Sequence, residues 1–259
     1  MSKIASLAAV LSALVLSASV FVANGQTGKT TASPPDLTGV WTNYRDPNAA
    51  RDARASPGAP GSDNSDLPLT EEAKKKIAAH RALVGPTQAA PGVFCVGTGM
   101  PGSINNRGGY PMEIIQRPEQ ITVIYEIYDE VRRFYLGSRI VPPEDRIPNR
   151  NGVSSARWEG DVLVVETTDL KEQVDQRYAH SDQAKITERY HVEKDSAGRR
   201  VLVADWTMTD PFYTKPVSGQ EKWSEVPNGR VMPYGCQEQG WVEHLERLAD
   251  PNAPKSDYK

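Results

Sequence analysis

The sequence predicts a mainly β fold, an antiparallel up-and-down meander that closes as a barrel, with one surface helix and a short C-terminal helix. Three observations predict it. From Met112 onward, apolar residues recur at every second position, the period of a strand with one buried face. Short polar turns separate these runs, and such turns make successive strands antiparallel neighbours. Gly and Pro number 20 each against only 4 Phe, the composition of a chain with many turns.

Residues 36–41 read as a first strand. Residues 43–66 are rich in Asp, Ala, Pro, Gly and Ser, bury little, and read as a surface loop. Thr70 opens a helix over 70–83. Its hydroxyl can cap free N–H groups, and Glu71 and Glu72 suit the positive helix end. The apolar face is thin, Ala73 and Ile77, so this helix lies on the surface. Residues 113–116 and 120–128 flank the turn Arg117-Pro118-Glu119, and 132–136 continue the pattern. Residues 155–158 and 162–168 form a second hairpin about Glu159-Gly160-Asp161. Residues 185–193 and 200–209 form a third about 194–198. The total is roughly seven to nine strands, and closure removes the exposed edges of such a sheet. Residues 241–248 place Trp241, Leu245 and Leu248 on one helical face.

Residues 1–25 read as a signal peptide. Lys3 supplies the positive start, 8–22 are apolar and uncharged, and Ala23 and Gly25 are small at the −3 and −1 positions, so cleavage falls before Gln26. The competing reading is an uncleaved anchor, although the apolar run is short for a span and diluted by serines. A linker over 26–35 and a single β-rich domain over 36–259 follow, in a periplasmic or secreted protein without stable membrane insertion of the mature chain. The net charge of −3 implies no general affinity for nucleic acid or anionic lipid. The two cysteines, Cys95 and Cys236, are expected to form a disulfide in an oxidising compartment; two buried free thiols are the alternative. No metal and no cofactor are expected. The four histidines are dispersed, neither Cys has a partner at ligand spacing, and no glycine-rich phosphate loop opens a helix.

Several stretches together resemble a family of uncharacterised exported bacterial proteins. They are Asp36-Leu37-Thr38-Gly39-Val40-Trp41; Cys95 followed by Gly99-Met100-Pro101; Pro111-Met112-Glu113-Ile114-Ile115-Gln116; Arg157-Trp158-Glu159-Gly160-Asp161-Val162-Leu163-Val164-Val165-Glu166-Thr167-Thr168; His180-Ser181; Ile186-Thr187-Glu188-Arg189-Tyr190; and Tyr234-Gly235-Cys236. The resemblance covers most of the mature chain and implies export rather than a particular reaction. The family often has His where this chain has Val153, and again where it has Gln237. Separately, Gly39-Val40-Trp41 ahead of a β meander is similar to the Gly-x-Trp of lipocalins, which implies a lipocalin-like (calycin) barrel.

Alternation places Glu126, Glu166, Glu188 and Asp205 each beside apolar residues of its own face. If that face lines the interior, these acids need partners, for which Arg133, Arg157 and Arg189 are candidates. If it faces solvent, they form ordinary exposed pairs. Glu188, bracketed by Ile186 and Tyr190, is the strongest interior candidate. His180 lies in a loop at the mouth of a hairpin, where Ser181 or Asp182 can equally form a turn. Trp41, Tyr125, Trp158, Glu166 and Trp206 are candidate ligand-binding residues, with core packing as the alternative for the aromatics. The leading functional expectation is a barrel that binds a small apolar or aromatic molecule. The second is a cofactor-independent lyase, isomerase or hydrolase whose catalytic groups are Glu188, His180, Arg157 and Tyr190. The third is an envelope interaction protein using the loops 43–66 and 142–151.

Overall fold

Nine strands close on themselves in the computed structural model, which describes residues 33–46, 48, 64–86, 90–105, 109–236 and 245. The signal peptide, most of the linker, most of the 43–66 loop and, apart from Leu245, the helix expected over 241–248 lie outside the described residues. The strands are β1 (Gly39–Asn43), β2 (Met112–Arg117), β3 (Gln120–Tyr125), β4 (Glu130–Leu136), β5 (Val153–Glu159), β6 (Val162–Thr168), β7 (Lys185–Lys194), β8 (Arg200–Thr209) and β9 (Val217–Glu225). They follow one another around the barrel in sequence order, and β1 closes it by pairing with β9 as well as β2. The mainly β barrel is as predicted.

One pairing departs from the expected meander. β4 and β5 run parallel, and their register is confined to Phe134–Leu136 against Ser154–Ala156. A parallel pair needs a crossover rather than a tight turn. Residues 137–152 supply it, through short 3₁₀ turns at Gly137–Arg139 and Pro143–Asp145. The expected strand over 120–128 also stops earlier, at Tyr125, because Tyr128 and Asp129 adopt positive φ in the turn into β4. β9 was not legible in the sequence. Its inward positions include Gly219 and Glu221, which interrupt the apolar alternation.

Period-two alternation fills the interior. Met112, Ile114, Ile121, Val123, Phe134, Leu136, Leu163, Val165, Ile186, Leu202, Ala204 and Met208 are buried in one apolar cluster. Gly219 is required by close approach: a Cβ there would lie 2.7 Å from the Trp206 indole nitrogen. Trp41 is fully buried at the barrel end that carries the hairpin turns. Its indole donates to the Leu37 carbonyl at 3.0 Å, and the Arg200 guanidinium lies 5.3 Å from its ring centroid. The opposite end is covered by the segments around Met100, Ile104, Leu170 and Ala179. The helix α1 (Glu71–Val84) starts where the sequence places it. Thr70 accepts the cap bond from Ala73 N–H, and only Ala73 and Ile77 are buried. Among the described residues no helix is long and apolar enough to cross a membrane.

Candidate functional site

The inward face of β4 carries Glu130, Arg132, Phe134 and Leu136, so alternation aims two charged side chains into an apolar barrel. Arg132 meets Glu188 of β7. Nη2 donates to Oε1 at 2.7 Å and Nη1 to Oε2 at 3.0 Å, with the two side chains 1% and 0% exposed. This forked geometry matches a planar guanidinium to a carboxylate. The Tyr190 hydroxyl donates to Glu188 Oε2 at 2.5 Å, and the Thr167 hydroxyl reaches Oε1 at 3.4 Å. Thr167 and Ser154 share a hydrogen bond of 2.8 Å, and Arg132 Nη2 lies 3.3 Å from the first and 3.5 Å from the second. The guanidinium also lies 4.8 Å from the Phe134 ring centroid.

Both ions are thus desolvated, but nearly every polar atom has a partner, the condition under which a buried pair is tolerated. Burial opposes the Arg132 charge, yet Glu188 and the nearby Tyr125 and Tyr190 raise its pKa well above the ordinary value. Burial pushes the Tyr125 phenol up to about 12 and Tyr190 well above its usual range. Neither phenol is therefore a base near neutral pH. Arg132 Nε is the exception to the pairing: it is buried without a hydrogen-bond partner among the described residues, as is the Trp206 indole nitrogen.

This cluster reaches a groove in the barrel wall. The crossover between β4 and β5 lies against the outward residues of β4 and the start of β5. A groove of about 370 Å³ lies there, lined on one side by Val131, Arg132, Arg133 and Tyr135 and on the other by Val153 and Ser154. Val141 and Ile147 of the crossover add apolar surface, and Asp145, Asn149 and Asn151 add polar surface. Arg132 and Ser154 belong to both the groove and the buried cluster. A second, larger groove of about 490 Å³ runs along 168–172 and 182–185 and is lined mainly by charged and polar residues.

The structure brings Glu188, Tyr190 and Tyr125 together, and places the other expected residues elsewhere. Arg157 is corrected to the outer face, where it pairs with Glu159 at 2.9 Å and Glu166 at 2.6 Å, all three well exposed. Glu166 is therefore also outside the barrel, and Asp205 accepts from Gln220 on that same outer face. The reason is pleat: Glu166 precedes Thr167 by one position, so it points away from the interior that Thr167 enters. Glu126 lies beyond the end of β3 and accepts from Met232 N–H. Trp206 is buried inside the barrel, in edge contact with Tyr178 at 4.9 Å, and Trp158 packs partly buried against the core. Cys95 and Cys236 form the expected disulfide. The partner of Glu188 was missed. Arg132 shares a face with Phe134 and Leu136, which was the available signal, whereas Arg133 and Arg189 point outward.

His180 is buried in the covering segments, apart from the groove residues. Nδ1 lies 2.8 Å from the Ser181 carbonyl and Nε2 3.0 Å from the Met100 carbonyl. Both neighbours are acceptors, and a neutral ring has one N–H to offer. Burial is the largest influence and lowers the pKa below 6.5, against the two carbonyls and Asp210, which favour the charged ring. The linkage sign follows: the unfolded chain takes up the proton first, so stability falls as pH drops through about 6.5. Urea unfolding between pH 7.5 and 5.5 should show this loss, with a shallower pH dependence in His180→Gln. An unchanged slope in that variant would remove His180 as the cause.

Compared with protein-family models, with curated proteins and with solved structures, the chain matches none.

Proposed function

We propose that this chain is an exported barrel protein that binds a small apolar or aromatic molecule in the groove over the β4–β5 seam. The observation that carries the reading is the seam itself. It is the one parallel pairing among the nine strands, and the groove over it is lined by Arg132 and Ser154, residues that also belong to the buried ion-pair cluster. The groove sets the apolar side chains of Val131, Val141, Ile147 and Val153 beside polar ones, and small-molecule sites combine apolar surface with polar groups that fix orientation. The groove volume falls within the range such sites occupy, roughly 300–1,000 Å³. Glu188 already accepts from Arg132, Tyr190 and Thr167, which favours a positioning role for it over proton abstraction. The Cys95–Cys236 disulfide supports an oxidising compartment, hence removal of residues 1–25 and a periplasmic or secreted location. The same disulfide and the quoted sequence blocks support membership of the exported bacterial family that the sequence resembles.

The test is binding of indole and toluene, followed by thermal shift and by NMR titration. Val153→Trp fills the groove from a half-buried position on its rim. The expected result is stabilisation of the native protein and at least a tenfold weaker response, about 1.4 kcal/mol, in the variant. Equal binding by a folded Val153→Trp protein, or no binding by either, overturns the assignment.

A further inference from the structure

Leu136 N–H donates to the Glu119 carbonyl on the β3 side of β4. Main-chain groups alternate between the two neighbours along a strand. Arg132, Phe134 and Leu136 therefore turn theirs to β3, and Val131, Arg133 and Tyr135 turn theirs to β5. Tyr135 lies within the short ladder that joins β4 to β5, and Val131 and Arg133 lie ahead of it. Gly152, which would continue that ladder, is engaged elsewhere: its N–H donates to the Asn149 carbonyl and its carbonyl accepts from the Asn149 side chain. Among the described residues, the Val131 N–H and carbonyl and the Arg133 N–H thus meet no hydrogen-bond partner. Both residues edge the groove. Arg132 and Ser154 line it too, although their side chains are buried on the inner face, so the surface they offer to it is main chain.

An open strand edge pairs with another extended chain. From Val131 to Arg133 the edge spans three residues, about 10 Å at roughly 3.3 Å each. The ladder at Phe134 closes one end of it. Residues of an added strand share a face with those they oppose. Opposite Val131 and Arg133, guest side chains point outward, beside Val131, Val141, Ile147 and Val153. Opposite Arg132, a guest side chain points inward, where Arg132 and Glu188 are already packed and buried. That position suits glycine, which adds no side chain.

We infer that the seam groove takes short extended peptides of the pattern apolar-Gly-apolar, held by main-chain hydrogen bonds to Val131 and Arg133. This rests on the groove being a binding site, as proposed above, and names the chemistry of its ligand. Indole and toluene, which have no main chain, would use only the apolar side chains.

The probe is N-acetyl-Val-Gly-Val-N-methylamide, titrated into the native protein and followed by NMR and amide hydrogen exchange. In the free protein the Val131 and Arg133 amides should be less protected than those of Arg132 and Phe134, which are paired with β3. The peptide should raise protection of both by at least about tenfold. Its depsipeptide analogue, with esters in place of the amide links, keeps the side chains and loses the N–H donors. It should bind at least about fivefold more weakly. Exchanging the peptide's glycine for valine should weaken binding by at least about tenfold, because the inner face is filled. Two further residues at each end should bring no gain. Equal binding by the depsipeptide or by the valine form overturns the inference. So do binding without protection of Val131 and Arg133, amides already protected in the free protein, tighter binding of the lengthened peptide, and a peptide that does not bind. In each of these cases indole binding that is sensitive to Val153→Trp leaves the groove reading standing. Loss of indole and peptide binding together removes both.

Discussion

Arg132→Met and Glu188→Leu, made singly, should each lower the stability of the barrel by about 3–5 kcal/mol, and the two combined should recover most of that loss. Each single change leaves one ion in the apolar interior without its counter-charge. The two side chains are almost wholly inaccessible to water, so neither can be rescued by hydration. Arg132→Met strips Glu188 of two charge-assisted donors and leaves Tyr190 and Thr167 to satisfy it. Glu188→Leu leaves the guanidinium with neutral partners, the hydroxyls of Ser154 and Thr167 at 3.5 and 3.3 Å, the nearby Tyr125 and the face of Phe134. The double variant removes both charges and restores apolar contact beside Phe134. Equilibrium urea unfolding of the two single variants and the double variant measures the coupling directly. Additive losses, with the double variant the least stable of all, would show that the pair is not a coupled unit. Single losses below about 1 kcal/mol, the range of exposed pairs, would show that water reaches it.

Replacing both Cys95 and Cys236 by Ser should cost about 2–5 kcal/mol. The bridge joins residues separated by 141 positions, which in the chain-entropy model corresponds to about 5 kcal/mol of restriction on the unfolded chain. Non-covalent contacts hold the same region and set where in that range the loss falls. Tyr234 packs edge-on against Tyr128 at 5.2 Å and Tyr110 at 5.5 Å, and its N–H donates to Asp129. Cys95 also leads into the segment that covers one barrel end. There Gly99 N–H and the Ser103 hydroxyl donate to buried Glu130 at 3.0 and 2.9 Å. Thermal unfolding with and without a reducing agent, alongside the double Ser variant, measures the contribution. A reduced protein and a Ser variant that both melt with the oxidised native protein would show that the bridge adds nothing. A large loss on reduction that the variant does not share would point to a cause other than the bridge.

Much of the barrel is legible in local pattern. The hairpins about Pro118-Glu119, Gly160-Asp161 and 195–199 follow from alternating runs bounded by turn residues. Thr70 with two following glutamates marks the helix start, and the thin face of Ala73 and Ile77 marks its surface position. The disulfide follows from an even cysteine count in a chain read as exported. β9 escapes the same approach because Gly219 and Glu221 occupy its inward positions. Glycine is there to make room for the Trp206 ring of the preceding strand, β8, a demand set by a neighbour rather than by β9 itself.

Glu188 shows the division most clearly. Its place between Ile186 and Tyr190 makes it, from sequence alone, the strongest candidate for the interior, because side chains alternate along a strand with period two. That it meets Arg132, 56 residues away, was decided only by closure of the barrel, which sets β4 and β7 across the interior from each other. The groove was decided in the same way. Nothing in the local pattern of β4 or β5 announces that they run parallel and part after three residue pairs. Strand faces and helix start are written in neighbouring residues, since alternation and capping act over a few positions. The ion pair, the seam and the unpaired Arg132 N–H depend on which strands close against which, and that is a property of the whole chain packed at once.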